Sequence, residues 1–158
     1  MMHKKMSYLL VMLFMFLASC GEDVLTGPAE VKWDRDNCQR CKMMLSDRQY
    51  AAEVRYMASD KQSQVYKFDD LGCAVIWLQD KSWRNDATTE IWVTDQNTGK
   101  WLDARKAYYS KDRVTPMGYG LGAQADRGSN AMDFAAAQQH ILVTEEKLNR
   151  HNSGGHTH

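Results

Sequence analysis

Residues 64–78 read QVYKFDDLGCAVIWL, and within this stretch the hydrophobic period changes from that of a strand to that of a helix. Up to Phe68, apolar and polar side chains alternate around Tyr66, which favours a β-strand. Asp69 and Asp70 follow, and an aspartate can cap the free N–H groups at the start of a helix. The residues after them recur at helical spacing: Leu71, Ala74, Val75 and Leu78. The sequence therefore predicts a strand over 64–68 and a helix over 71–79.

The predicted helix is apolar on more than one side. Its remaining large side chains are Cys73, Ile76 and Trp77, which fill most of the opposite face. A helix that is apolar on two faces is buried on both of them. Cys73 is therefore predicted to be a thiol of the core rather than a ligand.

A hairpin is predicted on each side of this helix. Before it, residues 50–57 alternate as a strand and residues 59–62 form a turn, so that 50–57 and 64–68 pair. After it, residues 82–87 are predicted to be a loop. Residues 90–94 and 100–104 then form a second hairpin around Asp95-Gln96-Asn97-Thr98-Gly99, a strong turn sequence.

The second half of the chain has weaker periodicity. Residues 107–112 are polar and rich in tyrosine, and three glycines within 115–122 interrupt any regular element. Ser129-Asn130, with an acid at Asp133, predicts the start of a short helix that ends near residue 139.

The last predicted elements are a strand over 140–143 and a helical turn that Thr144 caps. Residues 151–158 have no apolar face and are predicted to be a disordered tail with three histidines, which can hold Cu(II) or Zn²⁺ loosely. The element order, hairpin–helix–strand followed by hairpin–loop–helix–strand, predicts the α+β class with two units of similar plan.

The first nineteen residues have the pattern of a bacterial lipoprotein signal peptide. Lys4 and Lys5 precede a short apolar core, and Leu17-Ala18-Ser19-Cys20 matches the lipoprotein box. Acyl chains on Cys20 would hold the protein stably at a membrane surface. Residues 20–30 contain Gly27-Pro28 and little apolar periodicity, so they are predicted to be a tether.

Removing residues 1–19 leaves a nearly neutral chain with an odd number of thiols. The net charge of the whole chain is zero and that of the processed chain is −2, which gives no field that favours nucleic acid. The thiols that remain beside the lipidated one are Cys38, Cys41 and Cys73. In the oxidising cell envelope, an unpaired thiol must be buried, metal-bound or catalytic.

The sequence Cys38-Gln39-Arg40-Cys41-Lys42-Met43-Met44 concentrates sulfur. In an extended segment, residues two apart project to the same side, so Cys41 and Met43 can face one ion. A thiolate with a thioether suits Cu(I) better than Mg²⁺, Ca²⁺ or Zn²⁺. Two other interpretations stay open: Cys38 and Cys41 can form a disulfide or a redox pair, and the methionines can fill the core.

Met117 is a second candidate sulfur donor. It lies in Thr115-Pro116-Met117-Gly118-Tyr119-Gly120, where the glycines permit positive φ and a close backbone approach. Cys41 and Met43 alone would leave Cu(I) two-coordinate and exposed, so Met117 is the hypothesised third donor. His140 or a histidine of the tail is the rival donor, and an ordinary loop methionine is the alternative interpretation of Met117.

Taken together, these segments resemble the NosL family, lipoprotein copper chaperones associated with the maturation of nitrous-oxide reductase. The resemblance covers nearly the whole processed chain. It rests on the lipoprotein box, the Cys38–Met43 segment, Ser46-Asp47 with Tyr50-Ala51-Ala52, Phe68-Asp69-Asp70-Leu71-Gly72-Cys73, and Pro116-Met117-Gly118. One departure is Lys42, where the family pattern has glycine; a lysine there adds a positive charge beside the thiolate.

The resemblance implies two small ββαβ-type units, here 31–88 and 89–150, similar to the organomercurial lyase fold. It implies Cu(I) bound through Cys41 and Met43, a chaperone rather than an enzyme, and a lipid-anchored position on the periplasmic side of a membrane. The implied partners are nitrous-oxide reductase or its assembly machinery, and a copper exporter.

Two other functional classes remain open from the residues alone. A lipid-anchored thiol–disulfide oxidoreductase would use Cys38 and Cys41, although such pairs normally lie at a helix N-terminus and no helical pattern follows here. A purely structural envelope lipoprotein would leave the odd thiol without a role.

Overall fold

The structure, a computed structural model, describes residues 26–58 and 62–153. The predicted signal peptide (1–19), Cys20 and the last five residues therefore lie outside the described residues. The elements, in chain order, are β1 (Ala52–Met57), β2 (Ser63–Phe68), α1 (Leu71–Leu78), β3 (Glu90–Thr94), β4 (Trp101–Asp103), β5 (Tyr108–Ser110), β6 (Gly122–Gln124) and α2 (Phe134–Ser153). In the described part of the chain, no helix is both long enough and apolar enough to span a membrane.

Four strands form one antiparallel sheet in the order β2-β1-β3-β4. Val54 in the central strand β1 pairs with Tyr66 on one side and with Ile91 on the other. Both predicted hairpins are confirmed, with the second closed at Gly99 by a positive φ of 67°. Residues 59–61 of the first predicted turn lie outside the described residues.

Helix α1 begins and packs as the sequence predicts. Asp70 has an extended backbone, and its side chain accepts a 2.7 Å hydrogen bond from the N–H of Gly72, which satisfies a free donor of the first turn. The helix buries its apolar stripe in the single core cluster that also contains Ala52 and Val54 of β1. The first residues of α1 are thereby fixed relative to the sheet.

Residues 27–30, which we call the strap, lie against the sheet. Glu53 lies between Ala52 and Val54, which face the core, so its side chain points to the opposite face of the sheet. There its Oε2 accepts a 2.7 Å hydrogen bond from the N–H of Ala29. Gly27 makes two more bonds: its N–H donates to Glu90 at 2.8 Å, and its carbonyl accepts from Arg55 at 2.7 Å. These contacts hold the strap to β1 and β3.

Strands β5 and β6 form a separate two-stranded antiparallel ribbon. The sequence interpretation missed both, because each has three residues and β6 contains a glycine. Asp95 forms a bridge with Ala123 of β6, which joins the ribbon to the end of β3. The side chain of Gln96 donates to Ser110 at 3.0 Å and to Gln124 at 2.9 Å, so a buried amide spans the ribbon.

The C-terminal helix α2 corrects three predictions. Residues 140–143 are helical rather than a strand, because they belong to one continuous helix from 134 to 153. The helix begins after Asp133, whose carboxylate accepts from the N–H of Ala136, and not at Ser129-Asn130. Thr144 is not a cap; its hydroxyl donates to the carbonyl of His140 within the helix, at 2.8 Å.

The α+β class is confirmed by these layers. The element order β1, β2, α1, β3 is a ββαβ sequence, but β3 begins at Glu90, beyond the predicted end of the first unit at residue 88. Among residues 89–153, no strand follows the helix, since the segment predicted as that strand is helical. The four-stranded sheet takes strands from both sides of the predicted boundary at residue 88.

Candidate metal site

A tight loop carries the first two cysteines. The N–H of Cys38 donates to the carbonyl of Met43 at 2.7 Å, and the N–H of Lys42 donates back to the carbonyl of Cys38 at 3.0 Å. The N–H of Gln39 donates to Lys67 in β2, which fixes the loop to the sheet edge. Lys42 has φ of +66°, a conformation that glycine adopts without strain. This backbone geometry explains why a glycine suits the position where this chain has lysine.

Three thiols and one carboxylate converge beside this loop. Their ligand atoms, from Cys38, Cys41, Asp69 and Cys73, all lie within 4.8 Å of one another. Asp69 directly precedes the cap of α1 and Cys73 lies in its first turn, so the start of that helix supplies half of the group. Cys41 is the partly exposed member; the other three are buried.

Asp69 has one carboxylate oxygen engaged and one without a partner. The thiol of Cys41 donates to its Oδ2 at 3.2 Å. Its Oδ1 has no hydrogen-bond partner, and water does not reach it because the residue is only 3% exposed. A buried oxygen that lacks a partner costs free energy unless a donor or a cation satisfies it. The position of this oxygen within the thiol group fits a metal ion.

The three thiols differ in acidity because of their surroundings. A hydrogen bond from Cys73 lowers the pKa of Cys38 to about 6, since the bond stabilises the thiolate. The same bond raises the pKa of Cys73, and burial raises that of Cys41 to about 12. At neutral pH the group therefore favours one thiolate, at Cys38, supported by a neighbouring thiol.

Arg40, between the two cysteines of the loop, connects the site to the second half of the chain. Its Nη1 donates to the hydroxyl of Tyr119 at 3.0 Å and lies 3.9 Å from the sulfur of Cys73. Its Nη2 forms an ion pair with Glu145 of α2 at 2.5 Å. Burial of the Tyr119 hydroxyl raises its pKa, so this group stays a neutral hydrogen-bond donor.

The sequence-predicted donors occupy different positions around this group. Cys41 is one of its members, as proposed from the sequence. Met43 lies two residues further along the same loop and is 51% exposed. Met117 is half-buried, and its N–H donates to Asp70 at 3.4 Å, which places its backbone beside the residue next to Asp69. The rival donor His140 is not a member; its Nε2 lies 3.1 Å from the carbonyl oxygen of Tyr119.

The sequence interpretation missed Asp69 and assigned Cys73 to the core. The burial of Cys73 is confirmed, but the residue also faces the other thiols. Asp69 precedes the extended cap residue Asp70 and is not helical, so helical spacing does not relate it to Cys73, and no local pattern would have assigned either residue to the cysteine loop.

These features define a small α+β protein with a thiol-rich candidate metal site at the start of its first helix. The family model for NosL matches residues 29–150, and the chain belongs to the NosL family. It is similar to the crystal structure of the copper chaperone NosL from Shewanella denitrificans, at 16% identity and a TM-score of 0.51, over 74% of this chain and 87% of that chain. At this identity the similarity shows the fold. No curated protein sequence matches the chain significantly.

Proposed function

We propose that this chain is a membrane-anchored, periplasmic Cu(I)-binding chaperone that delivers copper for the maturation of nitrous-oxide reductase. The observation that carries the proposal is the convergence of Cys38, Cys41, Cys73 and Asp69 within 4.8 Å. Thiolate sulfur is the donor that Cu(I) prefers, and a site dominated by sulfur disfavours Mg²⁺ and Ca²⁺. Membership of the NosL family supports the same cargo.

Cys41 is the entry ligand in this proposal. It is the partly exposed thiol of the group, while Cys38 and Cys73 are fully buried. Copper arriving from solvent or from a donor protein meets Cys41 first, with the exposed thioether of Met43 two residues away. Met117 then supplies a third sulfur from the second half of the chain, and the buried thiols of Cys38 and Cys73 line the site behind Cys41.

Release is a ligand exchange without a change of oxidation state. A sulfur of the acceptor replaces one sulfur of the chaperone at a time, and the proton that an acceptor thiol loses passes to the freed thiolate of Cys41, whose pKa burial raises to about 12. The exposed position of Met43 and the partial exposure of Cys41 give the acceptor a place to attack. A fully buried site with four strong ligands would exchange more slowly.

A Cu(I) titration of the reduced protein against a competing chelator, without oxygen, tests the proposal. The wild-type protein should bind one Cu(I). Cys41→Ala should weaken binding by at least about 100-fold, because a thiolate supplies charge that a thioether lacks. Met43→Ala should weaken it by about tenfold.

Met44→Ala is the matched control, since Met44 is the next residue and is equally exposed, at 51%. This variant should bind copper like the wild type. Unchanged affinity of the Cys41→Ala variant would place the copper site elsewhere in the chain and overturn the proposal.

The competing oxidoreductase function is supported less well. Cys38 is the thiol with the lowered pKa, but it is fully buried and has no access to a protein disulfide. The C-x-x-C segment is a loop rather than the start of a helix. The protein should therefore reduce insulin disulfides no faster than dithiothreitol does alone; clear catalysis of that reaction would favour the oxidoreductase.

A further inference from the structure

Three side chains from distant parts of the chain form a closed triangle behind the candidate metal site. Arg40 donates to Tyr119 at 3.0 Å and to Glu145 at 2.5 Å, and the hydroxyl of Tyr119 donates to the other oxygen of Glu145 at 2.6 Å. We call this group the Arg40 triangle. Each corner contacts the other two, so removing one corner leaves the remaining pair with a missing partner.

The triangle is largely shielded from water. Tyr119 is 1% exposed, and the side chains of Arg40 and Glu145 are 26% and 18% exposed. Charges in such surroundings are screened little, and breaking a partly buried ion pair leaves an uncompensated charge behind. The triangle therefore holds its three segments together more firmly than a surface ion pair would.

Tyr119 transmits this constraint to the loop that carries Met117. A Cβ atom on Gly72 would lie 2.1 Å from the Tyr119 ring, so the ring packs directly on the first turn of α1. The carbonyl of Tyr119 accepts from His140, and the N–H of Met117, two residues earlier, donates to Asp70. The position of the Tyr119 ring thus determines where the Met117 loop lies relative to α1.

We propose that Arg40 is a positioning residue that holds the Met117 loop beside the cysteine group and thereby slows the loss of copper. The inference rests on the proposed copper function and on Met117 as a sulfur donor. Arg40 belongs to the cysteine loop, and its guanidinium reaches both Tyr119 and the sulfur of Cys73. Its side chain therefore connects the two halves of the proposed site.

An Arg40→Gln substitution could also speed copper release by loosening the cysteine loop in general. The ion pair between Lys67 and Asp36 offers a matched control for this alternative. Lys67 and Asp36 form an ion pair at 2.6 Å, with side chains 21% and 24% exposed. Asp36 lies two residues before Cys38, so this pair supports the same loop from the other side. The polar partners of Lys67 and Asp36 do not include Tyr119.

The experiment measures the rate at which Cu(I) leaves the protein for an excess of chelator, in stopped flow, for Arg40→Gln, Met117→Ala, the double variant and Lys67→Gln. Arg40→Gln and Met117→Ala should each speed release by about tenfold. The double variant should release copper no faster than either single variant, because both changes remove the same bond, the one between copper and the sulfur of Met117. Lys67→Gln should release copper at the wild-type rate.

X-ray absorption of the Cu(I) protein gives a second readout that a merely structural ion pair would not change. Arg40→Gln should lose one sulfur neighbour, as Met117→Ala does. Tyr119→Phe keeps the ring on Gly72 and removes only the hydroxyl, so it tests the triangle even where Arg40→Gln does not fold; it too should speed release.

Three results would overturn the inference: wild-type release from the Arg40→Gln and Tyr119→Phe variants, multiplicative effects in the double variant, or equally fast release from Lys67→Gln. A wild-type protein that binds no Cu(I) would instead defeat the proposed function, and this is seen before any variant is compared.

Discussion

Glu53 is a fully buried carboxyl in the middle of the sheet. One oxygen accepts from the strap at Ala29, and the other has no partner. Burial raises the pKa of Glu53 to about 7, against the opposing effects of the Ala29 N–H, Lys67 and Arg55. Between the unfolded pKa, near 4.5, and about 7, the folded state holds a proton that the unfolded state has lost. The free energy of unfolding therefore falls as the pH rises through this window.

Glu53→Gln should remove this pH dependence. At pH 8 the variant should be more stable than the wild type by roughly 2 kcal/mol, since a neutral amide replaces a buried charge and can still accept from Ala29. At pH 5, where Glu53 is already neutral, we expect no gain. Urea unfolding at both pH values measures the difference.

Glu30→Gln serves as the control, because Glu30 is an exposed carboxylate of the same strap. It should change stability little at either pH. An equal gain for Glu53→Gln at pH 5 and pH 8 would show that the charge of Glu53 is not the cause.

At the scale of single elements, Gly72 in helix α1 packs against the ring of Tyr119. The effect of Gly72→Ala on stability should therefore change sign when that ring is removed. Gly72→Ala places a Cβ atom 2.1 Å from the Tyr119 ring, so the ring or the helix must move. We expect a loss of about 1–3 kcal/mol from this overpacking, measured by urea unfolding.

In a Tyr119→Ala background the same change should stabilise the protein by about 0.5–1 kcal/mol, because alanine favours a helix over glycine. Destabilisation of equal size in both backgrounds would mean that the ring is not what requires glycine at this position.

The elements differ in how far the sequence predicts them. The hairpins and α1 were predicted within two residues, because Asp70 caps and the apolar spacing is regular there. The strand prediction at 140–143 was wrong because Ile141-Leu142-Val143 contains β-branched residues, which favour strands locally. The buried Ala137 and Ile141 lie four residues apart, a helical spacing that a longer window would have detected.

The candidate site was predictable only in part. Cys41 belongs to a local motif, so its spacing from Cys38 and Met43 identified it. Asp69 and Cys73 join the thiol group through the pairing of the cysteine loop with β2, a tertiary contact without a sequence pattern. The Arg40 triangle joins residues up to 105 positions apart and could not be predicted from local sequence.

At the scale of the whole molecule, the proposed lipid anchor rests on Leu17-Ala18-Ser19-Cys20. Cys20→Ala should abolish acylation and leave a precursor that lipoprotein signal peptidase does not process, because the modified sulfur is missing. Metabolic labelling with a fatty acid, followed by separation of precursor from processed protein, measures both effects. Ser19→Ala, which keeps a small residue before the cysteine, is the control; lipid labelling that survives Cys20→Ala would overturn the anchor.

The strap limits the distance between the candidate metal site and a lipid anchor at Cys20. Gly27 is bound to Glu90 and Arg55, so at most the seven steps from Cys20 to Gly27 could separate a lipid anchor from the sheet. Fully extended, seven residues reach about 25 Å, and a domain of this size is roughly 35 Å across. Copper held at Cys41 would then stay within about 60 Å of the lipid surface. An acceptor would have to come within that distance of the membrane. Inserting Gly-Ser repeats between Cys20 and Gly27 would increase the distance without altering the site.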